Sequence, residues 1–398
     1  MSGPLAGVRV IDMTSVVLGP YATRLLGDYG AEVLKVESPE GDVLRHSGPM
    51  RNPGMGYNYL NANRSKRSIV LDLKQPDARD ALLALVRDAD VLAYNVRPQA
   101  MERLGLGWGA VSAVNPRIIY AGAVGFSQHG PYAARPAYDD LIQGMAGIPW
   151  LMQQAGAELP RYAPMVLADR LVGMQFALAM VSALRWRDHS GEGQRVDMPM
   201  YEGLLDAVLG EHLGGRSFVP DEGPVGHARA LARDRRPYKT LDGWICALVY
   251  NDKQWRSFFA AIGDTERSGD PRFASQGTRA KHIGEVYTWL AGVLATRATD
   301  DWLALFAQND IPAARMQSID DIIADPHLVA TGVLAEFEHP SEGRLRGTSV
   351  ASGWSASQPE ITRHAPRLGE HTREILREAG YDEAQIDALI SGGAARQA

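Results

Sequence analysis

The chain has 398 residues, 45% of them apolar and 22% charged, and a formal net charge of −6. That length favours two domains, and the acidic balance points away from a nucleic-acid partner, whose binders show a basic face. The single cysteine, Cys246, excludes an internal disulfide framework and a cysteine-based zinc site.

In chain order, "GVRVIDM" is a short apolar strand, and "GPYATRLLGDYG" follows as a helix, with Pro20 suited to its start and Gly30 to its end. The next strand is "AEVLKVE", which completes a parallel strand–helix–strand unit. The rhythm continues through "RSIVLDL" (strand), "PDARDALLALVRDA" (helix), "DVLAYNV" (strand), "AMERLGLGWGAVSAVNP" (helix and turn) and "RIIYAGAVGF" (strand). These alternations predict a doubly wound α/β domain over roughly residues 1 to 160. A further helix begins near residue 170. Its uncharged run from Leu171 to Leu184 has 14 residues, short of a bilayer span, and reads as a buried helix. "RVDMPM" and "YEGLLDAVLGEHLGG" give another strand and helix, and "FVPDEGPVGHARALARDRRP" has the composition of a linker. "YKTLDGWICALVYND" reads as a hairpin turning at Asp242-Gly243, with Cys246 as a small buried hydrophobe. It opens a second, α+β domain that continues through "DDWLALFAQND" and "DIPAARM". The tail "HTREILREAGYDEAQIDALISGG" is helical and apolar on one face, so it packs back on the body. The first residues lack a basic segment followed by a long apolar core, so no signal peptide is expected and the protein is expected in the cytoplasm.

Several familiar chemistries do not fit. "GLGWG" follows a helical segment rather than a strand, no Walker loop is present, and "GFSQHG" misses the nucleophile-elbow spacing by one residue. The ten histidines never pair at metal-ligand spacing, so no metal site is expected. Basic residues recur near strand ends: Lys35, Lys66, Arg67, Lys74, Arg97 and Arg103. They are either a solvated edge or a cradle for an anionic, phosphate-bearing ligand, since open α/β sheets bind ligands beyond the carboxyl ends of their strands. Asp169 stands alone at the head of the apolar helix, as a cap or as a reagent.

The opening "GVRVIDMTSVVLGPYATRLLGDYGAEVLKVESPEGD" resembles that of the class III coenzyme A transferases. So do "NRSKRSIVLDLK", "YNVRPQAMERLGL", "PAYDDLIQGMAG", "SGEGQRVDMPMYEG", "DIPAARM" and "LGEHTREIL", in that order across nearly the whole chain. This resemblance implies a Rossmann-like large domain plus a smaller α+β domain, joined in an interlocked ring-shaped homodimer. The expected division is a CoA-binding domain over 1–215, a linker over 216–236, a small domain over 237–325 and a C-terminal segment over 326–398 that returns to the large domain. It implies that Asp169 is the covalent nucleophile, forming an aspartyl anhydride and then an aspartyl-CoA thioester. An Asp at a helix N-terminus is expected to be held ionised by the dipole, with nearby N–H groups available to an oxyanion.

The same resemblance places Val16 and Val17 near the pantetheine and thioester. It sets Leu71, Asp72, Lys74, Asn95, Val96, Arg97 and Arg103 around the adenosine and phosphates, with Ser38 on the adenine side where some relatives have arginine. Gln99 replaces a usual glycine. Tyr138 and Asp139 are expected to line the acyl pocket and orient Asp169, or, for the tyrosine, to pack under the sheet. In the related α-methylacyl-CoA racemases a histidine stands where Tyr138 does, and tyrosine is a poor base for an α-proton. Racemase activity and a non-catalytic CoA-binding role are the alternatives. Coenzyme A is expected as substrate and product with no tightly bound cofactor, and the partners are an acyl-CoA and a carboxylic acid, not nucleic acid or membrane. The acid is expected to exceed formate, with succinate, glutarate or mesaconate fitting, and succinyl-CoA is a possible donor. Arginines of the basic linker (Arg229, Arg233, Arg235, Arg236) and Lys239 offer countercharge for a second carboxylate.

Overall fold

The computed structural model describes residues 3–398. The chain divides into two compact units, one of residues 1–146, 164–205 and 326–398 and the other of residues 147–163 and 206–325. In the first, the strands are β1 (Arg9–Met13), β2 (Glu32–Glu37), β3 (Lys66–Leu71), β4 (Val91–Tyr94), β5 (Ile119–Val124) and β6 (Gln194–Pro199). Their order, β3-β2-β1-β4-β5-β6, is wholly parallel, which is the arrangement of doubly wound nucleotide-binding folds. Strands β2 to β5 are buried on both faces apart from Glu32 at the start of β2. Helices on either side cover them, so β4 and β5 read as continuous apolar runs, while β2 and β3 bury Lys35, Glu37, Lys66 and Arg67 among their apolar residues.

Residues 326–398 pack within this unit. Helices Thr372–Glu378 and Glu383–Ser391 bury Ile375, Leu376 and Ile386 against Leu82 and Leu85 of the helix Pro76–Val86 in one apolar core. The last strand of the chain, Ala395–Arg396, then pairs antiparallel with β3 and covers that edge of the sheet. A hairpin of Leu334–His339 and Gly343–Thr348 completes the unit. It was not among the expected elements, although "LAEFEH" alternates and "PSEG" is turn-forming.

The second unit carries a three-stranded sheet of Tyr238–Lys239, Trp244–Ala247 and Ala313–Arg315, over a core of Trp255, Phe258, Phe259, Phe273, Trp302 and Phe306. Two expectations are corrected here. Lys239 pairs with Trp244 and the Thr240 N–H bonds the Gly243 carbonyl, so the turn centres on Leu241-Asp242, one residue earlier than expected. The Asp242 carboxylate is the reason: it accepts from the backbone N–H and hydroxyl of Thr299 at 2.8 Å each, and from Thr240. Cys246 is exposed rather than buried. Side chains alternate along a strand, and Ile245 holds the inward position.

The long helix runs Leu167–Ser190, 24 residues rather than the shorter uncharged run, and ends at Gly191 with φ 80. By length and composition it would cross a membrane. Here Val172, Phe176 and Met180 are fully buried within the unit, while Met174, Leu178 and Trp186 are exposed. It is therefore half-buried, not buried on all sides.

Candidate active site

The strand order reverses between β1 and β4, and ligands of such folds bind in the crevice beyond the carboxyl ends of those strands. The loop after β1 is held there by four side chains. Asn95, just past β4, accepts from the Ser15 N–H at 3.0 Å and donates to the Ser15 carbonyl at 2.8 Å. Asp12 accepts from the Thr14 N–H at 2.9 Å, Lys35 donates to the Thr14 carbonyl at 3.0 Å, and Asp42 accepts from the Val16 N–H at 3.2 Å. Val16 sits at φ 69, a conformation costly for a β-branched residue and tolerated where the surroundings over-determine it.

Beneath this loop lies a buried ionic network that the sequence reading missed. Lys66 donates to Asp12 at 2.8 Å, to the Pro20 carbonyl at 2.9 Å and to Asn63 at 2.9 Å, with neither partner of the ion pair exposed. Lys35 pairs with Asp42 at 3.0 Å, and Arg45 pairs with Glu37 at 2.6 Å while lying over the Tyr59 ring. Burial alone would raise the Asp12 carboxyl, but Lys66 and Lys35 together hold it down at about 2. The signal was present in the form of opposite charges, Asp12, Lys35 and Lys66, inside neighbouring strands otherwise apolar.

This corrects the reading of the basic residues. Lys35 and Lys66 are neutralised inside the fold, and Arg67 is committed to Glu32, Glu374 and Glu378, so none of the three can meet an external anion. Lys74, Arg97 and Arg103 are exposed, as is Ser38 beyond β2. Arg97 immediately precedes the short helix Pro98–Arg103 without a side-chain capping bond, and Arg103 is the last residue of that helix. Val96 is exposed beside them, and Gln99 lies in that same helix. Asp72 accepts from the Lys74 N–H at 3.3 Å. Leu71 is 1% exposed within the apolar core, so its side chain is unavailable to a ligand.

Asp169 lies in the first turn of the long helix, and that helix packs closely on the helix Leu18–Asp28 that follows the Val16–Val17 loop. Gly173, one turn on, permits the approach: a Cβ there would meet the Leu18 carbonyl oxygen and the Tyr21 ring at 3.0 Å. Arg170 lies over the same ring, 4.6 Å from its centroid. Asp169 is not the cap of its own helix. Asp139 supplies that bond, one carboxylate oxygen accepting from the Asp169 N–H at 2.9 Å and the other from Gln143 at 2.6 Å. The Asp169 carboxylate itself accepts no hydrogen bond among the described residues.

The expected dipole effect is outweighed. Burial, then the nearby Asp139 charge, push the Asp169 carboxyl up to about 7, with Arg170 opposing. The Asp169 N–H expected to serve an oxyanion is also taken, since Asp139 holds it. Tyr138 precedes Asp139 and is 71% exposed, so it does not pack under the sheet. A partly buried carboxylate that is basic and unbonded has the properties of a nucleophile. Among the described residues no group of three or more His, Cys, Asp or Glu is arranged to hold a metal ion.

A stability prediction follows from that raised carboxyl. Its ordinary value is 3.8, so between about pH 4 and pH 7 the folded chain binds the proton more tightly than the unfolded one, and stability falls as pH rises. Asp169→Asn lacks this cost. Discounted for partial exposure, the variant is expected to gain about 1–3 kcal/mol over wild type at pH 8 and roughly a quarter of that at pH 4.5. Urea unfolding at the two pH values checks this, and an equal difference at both would contradict the raised carboxyl.

Comparisons with known proteins agree in one direction. The family profile described as CoA-transferase family III matches residues 5–372. The chain is 32% identical to the succinyl-CoA–L-malate CoA-transferase beta subunit of Chloroflexus aurantiacus, covering 98% of this chain and 97% of that one. It is 32% identical to the succinate–glutarate CoA-transferase of Agrobacterium fabrum, over 94% and 95%. The formyl-CoA:oxalate CoA-transferase of Escherichia coli is 31% identical, over 98% and 99%. Among solved structures, a CAIB/BAIF family protein from Brucella suis superimposes with a TM-score of 0.80 at 29% identity, covering 95% of this chain and all of that one. With a family match over most of its length and full-length relatives above 30% identity, this chain belongs to CoA-transferase family III.

Proposed function

We propose that the protein transfers CoA from an acyl-CoA, with succinyl-CoA as donor, to a carboxylic acid larger than formate, and that Asp169 carries the covalent intermediates. The observation behind this reading is the Asp169 carboxylate: half-buried, made basic by burial and Asp139, and free of hydrogen bonds among the described residues. Two of the relatives are named for succinyl or succinate and dicarboxylic acids, which supports succinyl-CoA and a dicarboxylate acceptor.

In this mechanism an Asp169 oxygen attacks the thioester carbonyl and expels the CoA thiolate, leaving an aspartyl anhydride. The thiolate attacks the aspartyl carbonyl, releasing the donor acid and forming aspartyl-CoA. The acceptor carboxylate attacks that carbonyl and again expels the thiolate, which then attacks the acceptor's acyl carbon. New acyl-CoA leaves and the Asp169 carboxylate is restored. Val16 and Val17 flank the thioester in this reading, and Lys74, Arg97 and Arg103 meet the phosphates with charge-assisted hydrogen bonds. Ser38, Asp72, Asn95 and Val96 bound the nucleotide, while Leu71 contributes only by positioning Asp72. Tyr138 faces the acyl group and Asp139 positions Asp169. The working form is an interlocked cytoplasmic homodimer, and the exposed Met174, Leu178 and Trp186 of the long helix suit a second copy.

Intact mass after incubation with succinyl-CoA and hydroxylamine tests the covalent step, with a hydroxamate on Asp169 expected. Exchange of the α-proton with heavy water, in the absence of any adduct, would favour a racemase instead. Asp139→Asn keeps an oxygen for the Asp169 N–H but removes the charge. Because the ionised nucleophile is the active form, kcat/KM should rise with pH through about 7 in wild type, and that limb should move down by roughly one unit in the variant. A pH–rate profile that does not move would show that Asp139 acts by geometry alone.

A further inference from the structure

The second unit contains an open cavity of about 500 Å3, lined by none of the residues assigned above to CoA binding or to the covalent chemistry. That volume suits a small organic ligand. Its charged lining is all of one sign: Arg229, Arg235 and Arg236 border it, and no aspartate or glutamate does. Arg236 is already paired with Asp234 at 2.9 Å. Arg229 is oriented by its Nε, which donates to the Tyr287 hydroxyl at 2.9 Å, so its terminal nitrogens remain available. The Arg235 guanidinium is exposed and makes no ion pair or hydrogen bond among the described residues, although its charge is felt by the Glu211 carboxylate. The rest of the wall is apolar, with Leu248, Val249, Leu290 and Pro312. Leu248 is 37% exposed, whereas Val249 and Leu290 belong to the buried core beneath.

An anion alone would make no use of that apolar wall, and an apolar molecule alone would leave the arginines unmatched. A guanidinium binds a carboxylate through two parallel hydrogen bonds, and adjacent apolar surface rewards a hydrocarbon body. We propose that this cavity binds a carboxylic acid with an apolar chain of medium length, its head group held by Arg229 and Arg235 and its body against the accessible Leu248, Pro312 and Ala314. The site is defined by residues of the second unit alone and stands apart from the assignment of Asp169.

Cys246 lines the same cavity, is exposed and is the only cysteine of the chain, so its alkylation reports occupancy. The experiment measures the rate of Cys246 labelling by neutral iodoacetamide in the full-length protein, with increasing sodium hexanoate, hexanamide or inorganic phosphate. Hexanoate should slow labelling saturably by at least about fivefold, since it covers the thiol, with hexanamide and phosphate far weaker. Arg235→Gln should need about tenfold more hexanoate for the same protection, through loss of a charge-assisted pair. Arg236→Gln, also at an exposed position, should change it little. Asp169→Ala should be protected as wild type is, which separates this site from the nucleophile assignment. The proposal is overturned if hexanoate leaves labelling unchanged, if hexanamide or phosphate protects equally, or if Arg235→Gln binds as wild type does.

Discussion

Replacing Asp169 by alanine is expected to lower kcat for CoA transfer by at least about 10⁴-fold and to abolish the hydroxamate, because the variant has no atom on which either intermediate can form. CoA affinity should change little. Lys74, Arg97 and Arg103, the cations proposed to meet the phosphates, are exposed and do not depend on the carboxylate. The measurement is a pair: steady-state transfer from succinyl-CoA to a panel of acids, and binding of CoA by calorimetry. A loss of turnover with unchanged CoA binding locates the defect in the chemical step. Equal loss of both would mean that Asp169 supports the structure of the site, and retention of transfer would remove it as nucleophile. Asp169→Asn should behave the same way in turnover while gaining stability at alkaline pH, a combination that a purely structural role does not produce.

Lys66→Met is expected to cost about 3–5 kcal/mol of stability, with Tm falling accordingly, although the fully buried Lys66 side chain has no surface to offer a substrate. The substitution leaves the fully buried Asp12 without its closest countercharge, keeping only Thr14, Thr23 and the field of Lys35. The Pro20 carbonyl and Asn63 also lose a donor. Pairing the change with Asp12→Leu should restore much of the loss, since the cost is chiefly that of an uncompensated buried charge. Urea unfolding of the two single variants and the double one measures the coupling. Independent, additive effects would show that the ion pair is not the unit of stability. Asp12 is held below its ordinary value of 3.8, so the part of this stability that it supplies is present above pH 4 and is lost as pH falls toward 2.

Much of the fold was legible because periodicity and chain punctuation are local. Short apolar runs alternating with Pro-started, Gly-ended helices could be placed as βαβ units, and the strand order then followed the usual winding of such units. The hairpin turn was misplaced by one residue because Asp242 is captured by Thr299, 57 positions away. Cys246 was misjudged because apolar neighbours do not reveal which side of a strand a residue occupies. The candidate site divides in the same way. Asp169 stood out as the lone charge at the head of an apolar run, and Lys74, Arg97 and Arg103 as basic groups near strand ends. Lys35, Lys66 and Arg67 have the same local character, yet only the packed sheet shows that they are neutralised inside it.

What the sequence by itself determined is the chain order of the six parallel strands of the large sheet, though not the antiparallel strand Ala395–Arg396 at its edge, the absence of an internal disulfide, and, through its series of motifs, the CoA-transferase resemblance. Those properties depend on neighbours within a few residues or on the identity of motifs. Only the tertiary structure decided that Asp139 and not Asp169 caps the long helix, and that the Asp169 carboxyl is made basic rather than held ionised. It also decided that Asn95, Lys35 and Asp42 hold the strained Val16 loop at the switch point. The reason is physical. Desolvation and Coulomb terms are set by groups far apart in the chain that folding brings within a few ångströms, and no local pattern encodes their sum.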